Sequence, residues 1–479
     1  MVDKIKALEK IAHELDPDLF QREIWNKQVL DYSNSFIDNL DSKKAYYQPE
    51  ENNEHRFELD ITEHPTDMSS LLESTSKNID NVGINPASGG HMGYIPGGGL
   101  YPSALGDYIA AVNNRYAGVF YAAPGAVRLE NMLIRWMCDL MGYSSSALGN
   151  LTSGGSIANL VAIVTAREAN NIKARDFEKQ VIYLSEQAHH SLQKGLRIAG
   201  LSEAQLRYIP LDEGLRISTT HLEQAIIDDK KNGLTPFFIN ASFGTTNTGA
   251  IDPIDSIATI AEKHNVWLHV DAAYGGFFKL VPEMDEKFKG IEKADSITLD
   301  PHKTLFLPFG TGAILIKNKE KLLKAHYYLA DYMQDTIDAN EEFSPADLSP
   351  ELTKHFRGMR MWLPLKLFGL KPFRAALEEK IYLARYFHQE IGKIKGFETG
   401  PAPELSVAMF RYKPAKGNIN LFNEKLIKAI QKDGRIFLSS TSINDTFWIR
   451  VAIVVFRTHL KQIDLLIDII KEKTNELTQ

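Results

Sequence analysis

The sequence predicts an α/β chain. A large, mostly parallel sheet domain is preceded by a helical arm and followed by a smaller α+β unit. Three observations predict it. Between residues 150 and 316, short apolar runs alternate with helical patterns, and that alternation builds a parallel sheet covered on both faces. The first 85 residues are polar, with apolar side chains recurring at helical spacing. After residue 370, shorter strands and helices mix again on a smaller scale. The expected divisions are 1–85, 86–370 and 371–479.

Composition narrows the function. A chain of 479 residues with 44% apolar side chains can bury a large core and fill two or three domains. A net charge of −7 and a pI near 6.1 argue against a nucleic-acid binder. Cys138 is the only cysteine, so no internal disulfide or Cys-rich metal site is expected. No His-x-x-x-His or paired-Cys spacing suggests a metal. The N-terminal Met1-Val2-Asp3-Lys4-Ile5-Lys6 opens a charged amphipathic pattern rather than a signal peptide. No apolar run approaches the ~18 residues that span a bilayer. A cytoplasmic enzyme without a membrane partner is the expectation.

In the arm, Leu8, Ile11, Ala12 and Leu15 form one stripe, and Val29, Tyr32, Phe36 and Leu40 another. Such stripes must lie on the main domain or on a second subunit. From Pro86 to Gly155 the chain is rich in Gly, Pro and aromatics. Gly89-Gly90-His91-Met92-Gly93-Tyr94-Ile95-Pro96-Gly97-Gly98-Gly99 is too Gly-dense for helix or strand. Its interleaved apolar residues suggest a loop that brings backbone close to a ligand or a second chain. Helices follow over Ser103–Ala117 and Ala126–Met141. Strands are predicted at Val181–Ser185, Leu206–Ile209, Phe237–Ala241, Val266–Asp271, Ser296–Leu299 and Gly312–Ile316. Helices are predicted between them at Ile157–Asn170, Thr220–Asp229 and Ile254–His264. Residues 331–353 are acidic and carry Pro345 and Pro350. A polar segment of this length inside a domain is disordered or a functional lid. The last unit should hold helix Phe373–Ile394, strands Ser406–Arg411, Arg435–Ser439 and Phe447–Val455, and a helix from His459.

Ligands in parallel sheets bind beyond the carboxyl ends of the strands, and chemistry-bearing residues cluster there. Asp300-Pro301-His302-Lys303 follows a buried strand. Burial disfavours an ammonium group, and a neutral amine is what Schiff-base chemistry needs. Asp271 ends another strand, where a buried carboxylate needs a partner such as a protonated pyridine nitrogen. Thr152-Ser153-Gly154-Gly155-Ser156 precedes a helix, and its backbone N–H groups suit a phosphate. A simple N-cap by Ser156 is the alternative. His189, with His190 beside it, follows the strand at 181–185 and is either a ring-stacking imidazole or an ordinary loop histidine.

The blocks Thr152–Ser156, Gln187-Ala188-His189, Phe243-Gly244-Thr245-Thr246, His269-Val270-Asp271-Ala272-Ala273-Tyr274 and Asp300-Pro301-His302-Lys303 resemble those of the group II pyridoxal phosphate-dependent decarboxylases. The resemblance spans nearly the whole chain, including Arg357-Gly358-Met359-Arg360-Met361-Trp362. It implies the aspartate aminotransferase-like fold, fold type I, with a seven-stranded large domain and a homodimer whose active sites lie at the subunit interface. It implies that pyridoxal 5'-phosphate is held by Lys303 as a Schiff base, with Asp271 on the pyridine nitrogen and His189 on the ring. Ser153, Gly154, Gly155, Ser156, Asp300 and His302 would lie around the phosphate, and Thr246 and Ala273 near the ring. The implied reaction is loss of the α-carboxylate of an L-amino acid as carbon dioxide.

Substrate contacts are expected from His91, Tyr94, Ile95 and Tyr101. Their aromatic cast suits an aromatic amino acid. Between Ile61 and Arg115 the only Lys or Arg before Arg115 is Lys77, so no clamp for an acidic side chain is evident there. An acidic substrate would need an arginine from elsewhere. Three departures from the family pattern stand out. The His-Pro dipeptide often found in the substrate loop is replaced by His91-Met92. Asp300 stands where several relatives have Asn. Phe343-Ser344-Pro345 occupies the region where aromatic decarboxylases carry a loop Tyr, with Tyr332 as the alternative. Members with Phe there resemble aldehyde synthases, so the aldehyde is the rival product.

Overall fold

The computed structural model describes residues 1–48, 61, 63–327 and 342–479. The chain opens with helices α1 (Val2–Ala12) and α2 (Leu19–Asp38), followed by α3 (Met68–Thr75). Asp18 caps α2 by accepting from the Gln21 N–H at 2.8 Å, and Asp67 caps α3 by accepting from Ser70 at 3.0 Å. No residue of α1 or α2 is buried, and Ile5, Leu8, Ile11 and Leu15 are all exposed. The first expected stripe, Leu8, Ile11, Ala12 and Leu15, therefore does not pack on its own chain, whereas in the second Leu40 is buried and Tyr32 bonds to Asp80. A two-stranded pair, β1 (Tyr46–Tyr47) with β2 (Gly83–Ile84), joins the arm to the body.

Helices α4 (Tyr101–Asn113) and α5 (Pro124–Leu140) begin with prolines in their first turns, where the missing N–H costs nothing. The large sheet follows. Its strands are β3 (Leu148–Thr152), β4 (Gln180–Leu184), β5 (Gln205–Tyr208), β6 (Thr235–Ser242), β7 (Trp267–Asp271), β8 (Ser296–Leu299) and β9 (Gly312–Ile316). Their spatial order is β3-β9-β8-β7-β6-β4-β5, with β9 antiparallel to both neighbours and the other pairs parallel. The crossover helices are α6 (Gly155–Ala169), α7 (Ser191–Ile198), α8 (Thr219–Lys231) and α9 (Ile254–His264). Alternate residues of one strand enter different cores. Val181 and Tyr183 pack with Leu268 and Phe277, whereas Ile182 and Leu184 pack with Ala162 and Leu192. Strand β3 was not among the expected strands. Gly149 and Asn150 give it little strand propensity, and it forms because β9 offers it a full antiparallel register.

Beyond the short helix α10 (Pro301–Thr304) come α11 (Lys319–His326), α12 (Gly358–Phe368) and α13 (Leu370–Gly392). The smaller unit has strands β10 (Phe397–Thr399), β11 (Val407–Tyr412), β12 (Ser439–Ile443) and β13 (Thr446–Ala452), ordered β10-β11-β13-β12. Helices α14 (Ile419–Asp433) and α15 (Leu460–Thr478) complete it. The strand expected at Arg435–Ser439 instead begins at Ser439. A tight turn at Asn444 and Asp445, with φ of 48° and 59°, pairs Ser439–Ile443 with Thr446–Arg450.

The Gly-rich segment is tied down at both ends. The Met92 N–H donates to the Phe437 carbonyl at 2.9 Å, and the Leu100 N–H donates to Phe306 at 2.9 Å. It therefore runs from the small unit to the turn that carries Lys303. A Cβ on Gly97 would lie 2.5 Å from the Lys303 carbonyl oxygen, which is why glycine is required there. No helix among the described residues is long and apolar enough to cross a membrane.

Candidate active site

Parallel strands bring their carboxyl ends to one edge, and the sequence-predicted groups meet there. Ser153–Ser156 leave β3, His189 follows β4, Thr246 follows β6, Asp271 ends β7, and Asp300–Lys303 leave β8. A cavity of about 410 Å³ at this edge is lined by every residue expected to touch the cofactor: Ser153, Gly154, Gly155, Ser156, His189, Thr246, Asp271, Ala273, Asp300, His302 and Lys303.

Lys303 sits on α10, whose first turn Pro301 starts after the β8 strand end. Its Nζ lies 2.9 Å from Asp300 Oδ2. The same oxygen also faces the start of α6, 2.9 Å from where a Cβ on Gly155 would lie. The expectation of a neutral amine is corrected. Burial, the largest influence, pushes the Lys303 ammonium down, but the charges of Asp300 and Asp271 with the Asp300 bond outweigh it. Its pKa stands above the ordinary 10.5.

Helix α6 begins two residues earlier than a Ser156 cap would require. Gly154 is the N-cap, so Ser156 lies in the first turn. The N–H groups of Gly155 and Ser156 therefore have no acceptor within the helix. A Cβ on Gly155 would stand 2.9 Å from Asp300 Oδ2, so only glycine lets the helix start this close to β8. His302 donates from Nδ1 to the Thr311 carbonyl at 2.6 Å, and burial lowers its pKa.

Asp271 Oδ1 accepts from the Ala273 N–H at 3.1 Å, and Oδ2 accepts from Asn159 Nδ2 at 3.0 Å. His189 Nδ1 accepts from the Ser191 N–H at 3.2 Å and lies 2.7 Å from Ser191 Oγ. Its proton is therefore on Nε2. Burial holds the ring neutral by pushing its pKa down. His190 lies 4.2 Å from His189 between ring centres but does not line this cavity.

An adjoining cavity of about 550 Å³ shares Gln187, His189 and Thr246 with the first and adds Tyr94, Phe437 and Arg450. Arg450 was not singled out from the sequence, although a charged residue between Ile449 and Val451 in a buried strand is a signal. It is buried and donates to the carbonyls of Asn247 at 2.8 Å and Gly93 at 3.3 Å, to Ser439 Oγ at 2.7 Å, and to the Thr246 carbonyl. No carboxylate pairs with it among the described residues. Burial lowers its pKa to about 10, which leaves it charged at neutral pH.

Of the expected substrate contacts, only Tyr94 reaches these cavities. His91 is buried and stacks on Phe437 at 5.6 Å, with its pKa pushed down to about 4 by burial. Ile95 joins the main core, and Tyr101 starts α4. Apolar neighbours outcompete the cavity for His91 and Ile95. Phe343 is held outside both cavities, its carbonyl accepting from Asn131 Nδ2 at 3.1 Å. Tyr332 lies outside the described residues.

The donor set suits an anionic pyridine aldehyde. It presents an amine, a carboxylate held by two donors, a neutral imidazole face, and free N–H groups at a helix start. Comparison with known proteins agrees. Residues 49–413 match the pyridoxal-dependent decarboxylase conserved domain. The chain is 34% identical over 405 residues to an aromatic-L-amino-acid decarboxylase of Bacillus atrophaeus, covering 83% of this chain and 84% of that protein. It is 27% identical to a phenylacetaldehyde synthase of Petunia hybrida, covering 96% and 95%. Its fold superposes on a Catharanthus roseus tryptophan decarboxylase in complex with L-tryptophan with a TM-score of 0.89, at 23% identity, covering 96% of this chain and 99% of that one. The chain therefore belongs to the pyridoxal-dependent decarboxylase family and is a pyridoxal phosphate-dependent carboxy-lyase.

Proposed function

We propose that the chain decarboxylates an aromatic L-amino acid to its amine, with Lys303, Asp271 and His189 as the catalytic residues. The observation that carries this reading is the meeting of Lys303 Nζ, Asp271 and the unpaired N–H groups of Gly155 and Ser156 around one cavity. Pyridoxal phosphate, when bound, supplies an aldehyde for amino groups and a ring that withdraws electrons from the bond to be broken. The residues do the rest. Lys303 would hold the cofactor's aldehyde through Nζ, and Asp300, 2.9 Å from that nitrogen, would hold the amine as an ammonium when it is free. Asp271, oriented by its two donors, would keep a proton on the ring nitrogen. His189 covers the ring with a neutral imidazole and keeps water off that face. Gly155 and Ser156 would direct their N–H groups to the phosphate, with His302 lining the same cavity.

Arg450 is the anchor for the substrate α-carboxylate. It is a buried cation that lacks a charged partner, beside His189, and Tyr94 and Phe437 give the same cavity aromatic walls. The Bacillus atrophaeus relative, whose name specifies aromatic substrates, supports this reading. Arg450→Met should lower kcat/KM by about a hundredfold, while inhibition by the carboxylate-free amine product stays near the wild-type level. Equal loss of amine binding would argue against the assignment.

The exposed faces of α1 and α2 are covered by a second copy of the chain, making a homodimer. Sedimentation should give a dimer, and Ile5→Glu with Leu8→Glu should shift it toward monomer. A wild-type monomer contradicts this.

A second reading, release of the aldehyde, is favoured by the Petunia synthase relative. That outcome consumes oxygen and releases ammonia and hydrogen peroxide with the carbon dioxide. Incubation with a panel of amino acids under air, assaying carbon dioxide, amine and peroxide together, decides. Amine equal to carbon dioxide from aromatic substrates, without peroxide, is expected. Peroxide equal to carbon dioxide selects the second reading, and preference for an acidic amino acid contradicts the aromatic assignment.

A further inference from the structure

Behind Asp271 lies a hydrogen-bond chain in which donors and acceptors leave one arrangement. The Asp271 carboxylate can only accept, so the group 3.0 Å from its Oδ2 is the Asn159 amide nitrogen. The second N–H of that amide donates to Ser191 Oγ at 3.1 Å, and Ser191 passes its own proton to His189 Nδ1 at 2.7 Å. The Asn159 carbonyl is then left to accept. It does so from Thr298 Oγ1 at 2.6 Å and from His269 Nε2 at 3.1 Å. His269, protonated on Nε2, must accept at Nδ1. Ser296 Oγ stands there at 2.8 Å and itself accepts from Trp267 Nε1 at 2.9 Å.

Every member of this chain is satisfied and oriented. Asn159, His269, Ser296 and Thr298 are buried, and Asn159 is 1% exposed. Burial holds the His269 ring neutral, with its pKa pushed down to about 4, so it offers one donor and one acceptor. The elements explain the convergence. Asn159 lies one turn into α6, while His269 and Ser296 are register partners on β7 and β8. A single amide thus reaches both groups that would flank the cofactor ring. If it turned over, its oxygen would face the Asp271 carboxylate, and His269 and Thr298 would lose their acceptor.

We propose that Asn159 is a positioning residue that keeps Asp271 aimed at the ring nitrogen, and fixes the His189 ring through Ser191, with His269 locking its amide in the required sense. This rests on the reading that Asp271 pairs with the ring nitrogen of the cofactor. The test uses the full-length apoenzyme and two probes, pyridoxal phosphate and its 1-deaza analogue, which has carbon in place of the ring nitrogen. Fluorescence titration gives the affinity ratio between them. Wild type should favour pyridoxal phosphate, and Asp271→Asn should abolish that preference. Asn159→Ala and His269→Phe should each reduce it by about tenfold or more, as expected when a charge-assisted hydrogen bond is lost. Affinity for the deaza analogue should change little, which controls for folding. If both variants weaken the two probes by one factor, or keep the wild-type ratio, while Asp271→Asn loses it, the positioning role is overturned and Asp271 keeps its assignment. If Asp271→Asn retains the wild-type ratio, the underlying reading fails, and the positioning role falls with it.

Discussion

Asp300 shows how one carboxylate sets the state of a reactive amine. Placed 2.9 Å from Lys303 Nζ, it keeps the ammonium favoured despite burial. Asn at this position would remove the charge and keep the shape. The sign follows directly: without Asp300, the Lys303 pKa falls, and the neutral amine becomes available at lower pH. For Asp300→Asn apoenzyme, the labelling of Lys303 by trinitrobenzenesulfonate should shift its pH profile down. An unchanged profile would show that Asp300 does not control the amine. Single residues were unevenly legible in the sequence. Lys303 and Asp271 stood out because charged groups at the ends of buried strands need a reason to be there. Asn159 did not, because an amide within a helical pattern looks the same whether it faces water or a carboxylate. The burial of His91 was not legible, because Gly-rich surroundings suggested an open loop, whereas Phe437 and the small sheet draw the ring inward.

Among elements, β3 links the phosphate cradle to the chain beyond residue 342. Lys354 is fully buried and donates to Glu130 Oε2 at 2.8 Å, Asn150 Oδ1 at 3.0 Å and the Leu151 carbonyl at 3.2 Å. Glu130 Oε1 accepts from the Gly358 N–H at 3.0 Å, at the start of α12. One buried pair therefore fastens α5, β3 and α12 together beneath Ser153–Ser156. Lys354→Met strands the Glu130 carboxylate and should cost about 3–5 kcal/mol of stability, whereas adding Glu130→Gln should restore part of it. Denaturant unfolding of the single and double variants measures both, and equal losses would contradict a charge-based origin. The strands of the large sheet were readable because burial on both faces makes apolar runs. Strand β12, with the sequence Ser-Ser-Thr-Ser-Ile, was not, because its pairing comes from the turn at Asn444-Asp445 rather than from apolar periodicity.

For the whole molecule, buried imidazoles set the acid limit. His91 and His269 keep neutral rings to about pH 4 in the folded chain, while the unfolded chain protonates them near 6.5. The unfolded state binds more protons over that interval, so stability is lost as pH falls from 6.5 to 4. Each ring accounts for about 3 kcal/mol at the lower end. Asp252, raised to about 6 by burial, acts in the opposite sense and offsets part of the loss. Unfolding midpoints should therefore fall between pH 6.5 and 4, and a flat profile would contradict the burial of these rings. At this scale the fold class, the order of the three segments and the converging strand ends were all legible, since they follow from periodicity and parallel topology. The partner of the arm was legible only as a need, because an apolar stripe does not name what covers it.

Lys303 is the residue proposed to hold the cofactor. Reducing the holoenzyme with borohydride and mapping the pyridoxyl-bearing peptide tests this. The label is predicted on Lys303 within Asp300-Pro301-His302-Lys303, and a label on any other lysine would contradict the claim.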